Sequence, residues 1–172
     1  EKVNRRIKGA SGRKVKKAAK SDKSFYRYTG DNVECNEELL AHISGSSFYW
    51  SLQNPNVAQY VTETEQPVEN SYRYNRLNTS AALNALTGVK YYAATKSTTT
   101  LPYGFTPPPD KIYQRGNALP LGYTYDSAIT RADYEKLSSL KKQQAMLQGV
   151  VLDSVPTGTA QATLSFTDKS LP

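Results

Sequence analysis

"NALPLGYTYDS", Asn117 to Ser127, is the stretch on which the reading of the fold turns. It follows "KIYQRG", Lys111 to Gly116, and precedes an acid- and lysine-rich segment that begins at Thr130. Gly116-Asn117 is a pair suited to a tight turn, so the two flanking stretches are expected to pair as a β-hairpin, with "LPLGYTYDS" as its second strand. A helix is then expected over "TRADYEKLSSLKKQQAMLQGV". Thr130 is its cap, Asp133 stands at the capping-box position, and Tyr134, Leu137, Leu140, Met146 and Leu147 mark its buried face.

Working towards the N-terminus, "KSTTTLPYGFTPPPDK" is a Thr- and Pro-rich connection with Pro107 to Pro109 extended. "NTSAALNALTG" predicts a short helix over Thr79 to Leu86 stopped by Gly88, and Val89 to Ala94 a strand. Val68 to Tyr74 reads as loop. Asn54-Pro55-Asn56 is a helix start, with Val57, Tyr60 and Val61 on one side. Ser24 to Thr29 alternates aromatic and polar positions as a strand does, and Gly30-Asp31-Asn32 closes it. Beyond Gly149 the pattern changes to short Thr- and Ser-rich strand-like pieces, expected to open a separate β-rich unit. The fold class expected is therefore α+β: a small mixed sheet packed with three or four short helices over residues 24–149, and the start of a truncated β-rich unit over 150–172.

The remaining segment, residues 1–23, holds ten Lys or Arg against two acidic residues, a net charge of about +8, while the other residues come to about −1. The basicity thus belongs to one arm, expected to be a polar helix over Val3 to Ser21 broken by Gly9 and Gly12 and lacking an apolar stripe. Arg5, Arg6, Lys14, Lys16 and Lys17 are its candidate contacts with a polyanion or an anionic membrane surface. Nucleic acid is not an expected partner, because the near-neutral body offers no second basic face. Thirteen tyrosines dominate the aromatic residues, so the core is expected to be shallow and hydrogen-bonded.

The sequence carries few tools of catalysis. One histidine, His42, lies beside Leu39 and Ile43 and reads as structural, and one cysteine, Cys35, reads as a small half-buried hydrophobe. No metal site, cofactor or disulfide is expected from them, and no glycine-rich phosphate loop follows a strand. No run of about 18 apolar residues is present. The chain opens on Glu1 and has no signal-peptide pattern, so it is expected to be a processed protein or a piece of a longer one.

What stands out is aromatic residues beside small hydroxyls and amides, in "GSSFYWSLQNPN" (Gly45 to Asn56) and "GYTYDS" (Gly122 to Ser127). Sugars are bound by stacking their apolar faces on aromatic rings while amides and carboxylates take the hydroxyls. Tyr49, Trp50, Tyr123 and Tyr125 are therefore candidate stacking residues, with Asn54 and Asp126 as hydroxyl ligands. Plain core packing is the competing account of the same rings.

Five segments in order, "FYRY" (Phe25 to Tyr28), "ISGSSFYWSLQNPNVAQYV" (Ile43 to Val61), "LNALTGVKYYAA" (Leu83 to Ala94), "YQRGNALPLGYTYDS" (Tyr113 to Ser127) and "YEKLSSLKKQQAMLQGVVL" (Tyr134 to Leu152), resemble the extracytoplasmic domain of the YfhO family. These are large multi-pass membrane proteins of Gram-positive bacteria. The resemblance covers roughly Ser24 to Leu152. It implies a glycosyltransferase whose membrane body uses a lipid-linked sugar to decorate teichoic acid on the outer face. This stretch would be its non-catalytic part, inactive alone, and no catalytic residue carries over. The implied partners are the rest of the membrane-embedded chain, teichoic acid or a lipid-linked sugar, and the anionic membrane surface. The lysine-rich arm departs from the family pattern. The alternative reading is a structural or interaction module that binds no carbohydrate.

Overall fold

Hydrogen-bonded tyrosines and tight glycine contacts shape most of this fold. The computed structural model describes residues 10–66, 72–74, 80–95, 101–106 and 111–166. It is α+β and divides into two compact units, Glu1–Gln53 with Pro67–Leu121, and Asn54–Gln66 with Gly122–Pro172. Six short helices occur among the described residues, one in the basic arm and five within residues 24–149, where three or four were expected; the added one comes from the split of the helix expected from Thr130.

The first unit is built on a mixed four-stranded sheet. Strand β1 (Arg27–Gly30) is parallel to both β2 (Ser44–Gly45) and β5 (Val89–Ala93), and β5 is antiparallel to β6 (Ile112–Gln114). Gly30 ends β1 because the backbone there runs against Ala93: a Cβ at Gly30 would fall 2.3 Å from the Ala93 carbonyl oxygen. Helix α4 (Ala81–Leu86) leads into β5. Ser80 caps it by accepting the Leu83 N–H, and Gly88, in the left-handed region at φ 68°, turns the chain into the strand.

Helix α1 (Ala10–Ala18) corrects two expectations for the basic arm. It runs unbroken through Gly12, and it does have a buried stripe: Gly12, Val15 and Ala19, with Val15 fully buried. Gly12 is a contact point here, not a breaker, because a Cβ would lie 2.6 Å from the Ala41 Cβ of α2 (Glu37–Ala41). Val3 to Gly9, Arg5 and Arg6 among them, lie outside the described residues, as do Pro107 to Pro109.

The expected hairpin does not form. The strand β6 pairs only backwards, with β5 and through a single bridge from Gln114 to Thr106, and Asn117 is occupied in holding a buried arginine: its Oδ1 accepts Arg115 Nε–H at 2.8 Å. Leu119 gives its N–H to the Ala85 carbonyl, Pro120 has none to give, and strand structure resumes only at β7 (Ser127–Thr130). The alternation in "LGYTYDS" imitates a strand without a ladder partner.

In the second unit β7 is the centre of a parallel three-stranded sheet, flanked by β8 (Val150–Leu152) and β9 (Ala160–Gln161). The strand-like pieces beyond Gly149 are thus knit into a sheet begun at Ser127, and the division of the chain does not fall at residue 150. The single helix expected from Thr130 is two, α5 (Arg131–Glu135) and α6 (Ser139–Ala145). The Thr130 cap is as read, with Asp133 at the third position: the Asp133 N–H donates to Thr130 Oγ1 at 3.1 Å, and that hydroxyl donates to Asp133 Oδ2 at 2.7 Å. The break at "LSSL" swings Leu140 and Leu147 into solvent, while Leu137 and Met146 pack on the core of Ile129, Tyr134 and Ala145. Helix α3 (Pro55–Glu63) belongs to this unit and starts where the sequence said, its N-cap Asn54 accepting the Asn56 N–H.

The core of the first unit holds Val15, Tyr28, Val33, Tyr91 and Ile112, and its tyrosines are hydrogen-bonded as expected. Tyr91 donates its hydroxyl to Asp22 at 2.8 Å, and Tyr92 donates to Asp31 at 2.6 Å. Asp22 also accepts from Ser24 N–H and Oγ–H and lies 2.6 Å from Lys90 Nζ. Burial pushes its carboxyl up, but the bonds from Lys90, Ser24 and Tyr91 outweigh that and hold it well below the usual carboxylate range. A depressed folded-state value stabilises above the ordinary aspartate value of about 3.9, and that contribution is lost as pH falls below it. Urea unfolding at pH 5 and pH 2 should therefore show a larger loss of stability for the wild-type chain than for Asp22→Asn. Equal losses would contradict this role for Asp22.

Candidate functional site

Two residues of ladder put an aromatic pair on the surface of the first unit. Strand β3 (Phe48–Tyr49) is antiparallel to β4 (Arg73–Tyr74), with Phe48 opposite Tyr74 and Tyr49 opposite Arg73. Because side chains alternate across a strand, Phe48 turns inward and Tyr49 outward. The Phe48 ring lies 4.8 Å from that of Tyr74, which is 1% exposed and whose hydroxyl accepts from the Gln53 carboxamide. Trp50 continues the ladder through its N–H to the Tyr72 carbonyl and rests edge-on against Phe48 at 6.1 Å.

Tyr49 and Trp50 remain about half exposed, at 52% and 49%. Their backbone is fixed nonetheless. Asn36, in the left-handed conformation that asparagine tolerates, accepts the Tyr49 N–H at 2.9 Å and donates its amide to the Tyr49 carbonyl at 3.3 Å. Tyr72 and Leu52 are exposed in the same unit. The packing account of Tyr49 and Trp50 is thus met only by their neighbour Phe48.

Tyr123, Tyr125, Asn54 and Asp126 fall in the second unit. The Tyr123 and Tyr125 rings meet edge to face at 5.5 Å. Tyr125 is the inner of the two and donates its hydroxyl to the Met146 carbonyl; burial, then its bond with Tyr123, pushes that hydroxyl up. Tyr123 and Asp126 are exposed. Asn54 spends its carbonyl oxygen on capping α3.

The basic face of α1 stands in the first unit, where Lys14, Lys16 and Lys17 are exposed. Lys16 reaches the Ala41 carbonyl at 3.0 Å and so ties this face to the C-terminal end of α2. His42, read as structural, is exposed and ends α2 in the left-handed conformation at φ 54°. Cys35 is buried, its thiol towards the Tyr74 carbonyl. Among the described residues no group of three or more His, Cys, Asp and Glu is placed to hold a metal, and no helix is long and apolar enough to cross a membrane.

One feature escaped the sequence. Within the second unit a cleft of about 170 Å³ is lined by α3 through Asn56, Gln59, Tyr60 and Glu63, and by α5 through Arg131 and Tyr134, with Met146 and Val151 behind them. The only trace of it in the sequence is the helical spacing of Asn56, Tyr60 and Glu63, a pattern common to any solvated helix face.

A family model described as "Bacterial membrane protein YfhO" matches residues 3–170. An "Uncharacterized protein YfhO" of Bacillus subtilis (strain 168) is 28% identical over 141 residues, which are 77% of this chain and 16% of that protein. The chain therefore spans less than a fifth of the length of that relative. No solved structure matches.

Trp50 is the only tryptophan, so its fluorescence reports this surface alone. Both acrylamide and iodide should quench it efficiently in the folded chain. Emission that resists both would place the ring in the core and contradict the exposed platform.

Proposed function

The chain belongs to the YfhO family of bacterial membrane proteins, and from that premise we propose that it is a non-catalytic, extracytoplasmic part of a multi-pass glycosyltransferase. In this reading the membrane-embedded remainder moves a sugar from a lipid carrier to teichoic acid, and this part holds the polymer near it. The observation that carries the reading is the Tyr49–Trp50 pair, displayed half exposed on a backbone clamped by Asn36. A backbone fixed in this way has little freedom left to lose when a sugar face stacks on the rings it carries. The lysines of α1 add an attraction for the polymer's phosphates or for anionic lipid head groups that needs no specific geometry.

The chemistry of the reaction is assigned to the remainder of the protein. A buried Cys35 and a helix-ending His42 supply neither a thiolate nor an oriented base to this part of the chain.

Titration of the chain with teichoic acid fragments tests the reading. Trp50→Ala should weaken binding about fivefold, on the order of 1 kcal/mol for one lost ring contact. Added salt should weaken what remains, since the lysine attraction is screened. Equal binding by the two proteins would remove the stacking role, and no binding by either would favour the module that takes no carbohydrate.

A further inference from the structure

The cleft of the second unit is chemically unlike the Tyr49–Trp50 surface. Asn56, Tyr60 and Glu63 recur at i, i+4 and i+7 on α3 and so share a helix face, and Arg131 and Tyr134 recur at i and i+3 on α5. Their polar groups are already arranged. Arg131 Nη1 donates to both carboxylate oxygens of Glu63, at 3.0 and 3.1 Å, and Gln59 donates its amide to Glu63 Oε1 at 2.8 Å. The Arg131 guanidinium lies 5.4 Å from the centre of the Tyr134 ring, and its Nε is 3.5 Å from Asp153. The Glu63 and Arg131 side chains are only 18% and 30% exposed, so the pair is held in place and partly desolvated.

Charge and size narrow what fits. Glu63 and Asp153 together offset Arg131, so the cleft offers no net attraction to an anion. A volume of about 170 Å³ equals that of on the order of six waters at roughly 30 Å³ each, room for one ring and not for a chain. An apolar ligand would strip water from a carboxylate, a guanidinium and two carboxamides without replacing its hydrogen bonds. The Tyr134 ring is buried, whereas Tyr60 keeps part of its ring accessible. Burial, with Tyr134 and Tyr123 nearby, pushes the Tyr60 hydroxyl up, so it stays a neutral donor and acceptor.

We propose that this cleft binds a single neutral pyranose, with the C–H face of the ring on Tyr60 and a vicinal pair of hydroxyls taken by the Glu63–Arg131 pair. Asn56 and Gln59 take hydroxyls at the rim. The site deepens the glycopolymer reading and rests on it for its natural ligand, which becomes an uncharged sugar unit of the polymer or of the lipid carrier. The lysine face of α1 would serve the phosphates instead.

Titration of the 172-residue chain, followed by saturation-transfer NMR, tests the site with methyl glucoside, methyl galactoside and methyl N-acetylglucosaminide as probes and methyl glucuronide as the charged counterpart. At least one neutral glycoside should bind, and the glucuronide at least fivefold more weakly than methyl glucoside. Glu63→Gln and Tyr60→Leu should each weaken the neutral glycoside at least fivefold. Asn56→Ala, a change on the exposed helix face that spares the core, should weaken it about twofold and keeps the test open if either other variant fails to fold. Undiminished glycoside binding in the folded variants overturns the cleft and leaves the polymer reading standing. So does a chain that titrates with teichoic acid but with no glycoside. A glycoside bound in the cleft with no affinity for the polymer supports the site and overturns the polymer reading, and no binding of either overturns both.

Discussion

The carboxylate of Glu37 is the point through which the first unit is tied together. It is 2% exposed, and it accepts the Gly12 N–H of α1 at 2.6 Å, the Glu34 N–H at 3.3 Å and the Tyr28 hydroxyl of β1 at 3.3 Å. A buried charge is tolerated only when donors surround it, and here they come from a helix, a strand and a turn at once. Burial pushes the Tyr28 hydroxyl far up, with the charges of Glu37 and Glu38 adding to it, so that tyrosine keeps its proton and donates. Gly12 is required for the same contact, since its missing Cβ lets α1 approach both Ala41 and the Tyr28 ring. The consequence reaches the surface: a helix with Arg13, Lys14, Lys16 and Lys17 outside is pinned to a core by one apolar stripe, and its charges acquire a fixed place.

The two units carry different surfaces. The first presents the exposed rings of Tyr49 and Trp50 and the lysines of α1, features that in the proposed reading would take a sugar face and a phosphate without selecting among them. The second presents a set of mutually bonded polar groups on α3 and α5, a geometry that would select a shape. In the proposed reading such a division has a use, because a polymer held loosely along its length and checked at one residue would be offered repeatedly to a membrane-embedded reaction centre.

Local signals in the sequence were legible wherever one or two residues decide the backbone. Asn54 before Pro55, Gly88 after α4 and Thr130 with Asp133 mark their boundaries through local bonds or backbone geometry that hardly depend on the rest of the chain, whereas the Ser80 cap went unread and that helix was expected from Thr79. Pairing was not legible, because it depends on partners far away. The Asn117 turn signal was overridden by Arg115, and β7 waits for β8 and β9 more than twenty residues downstream. The stripe of α1 was hidden because two of its three members, Gly12 and Ala19, are too small to stand out among the lysines. Trp50 and Tyr49 were legible as candidates, but their exposure follows from a two-residue ladder too short to show a period. The cleft depends on α3 and α5, nearly seventy residues apart, meeting through Glu63 and Arg131.

The central claim is that the Tyr49–Trp50 surface is where this part of the protein meets a glycopolymer. Chemical-shift mapping of the ¹⁵N-labelled chain with teichoic acid fragments tests it most directly, because the indole N–H of Trp50 gives a signal of its own. The account predicts saturable shifts at the Trp50 indole and at the backbone amides of Asn36, Tyr49 and Trp50. Shifts confined to the lysines of α1, or none at all, would contradict it.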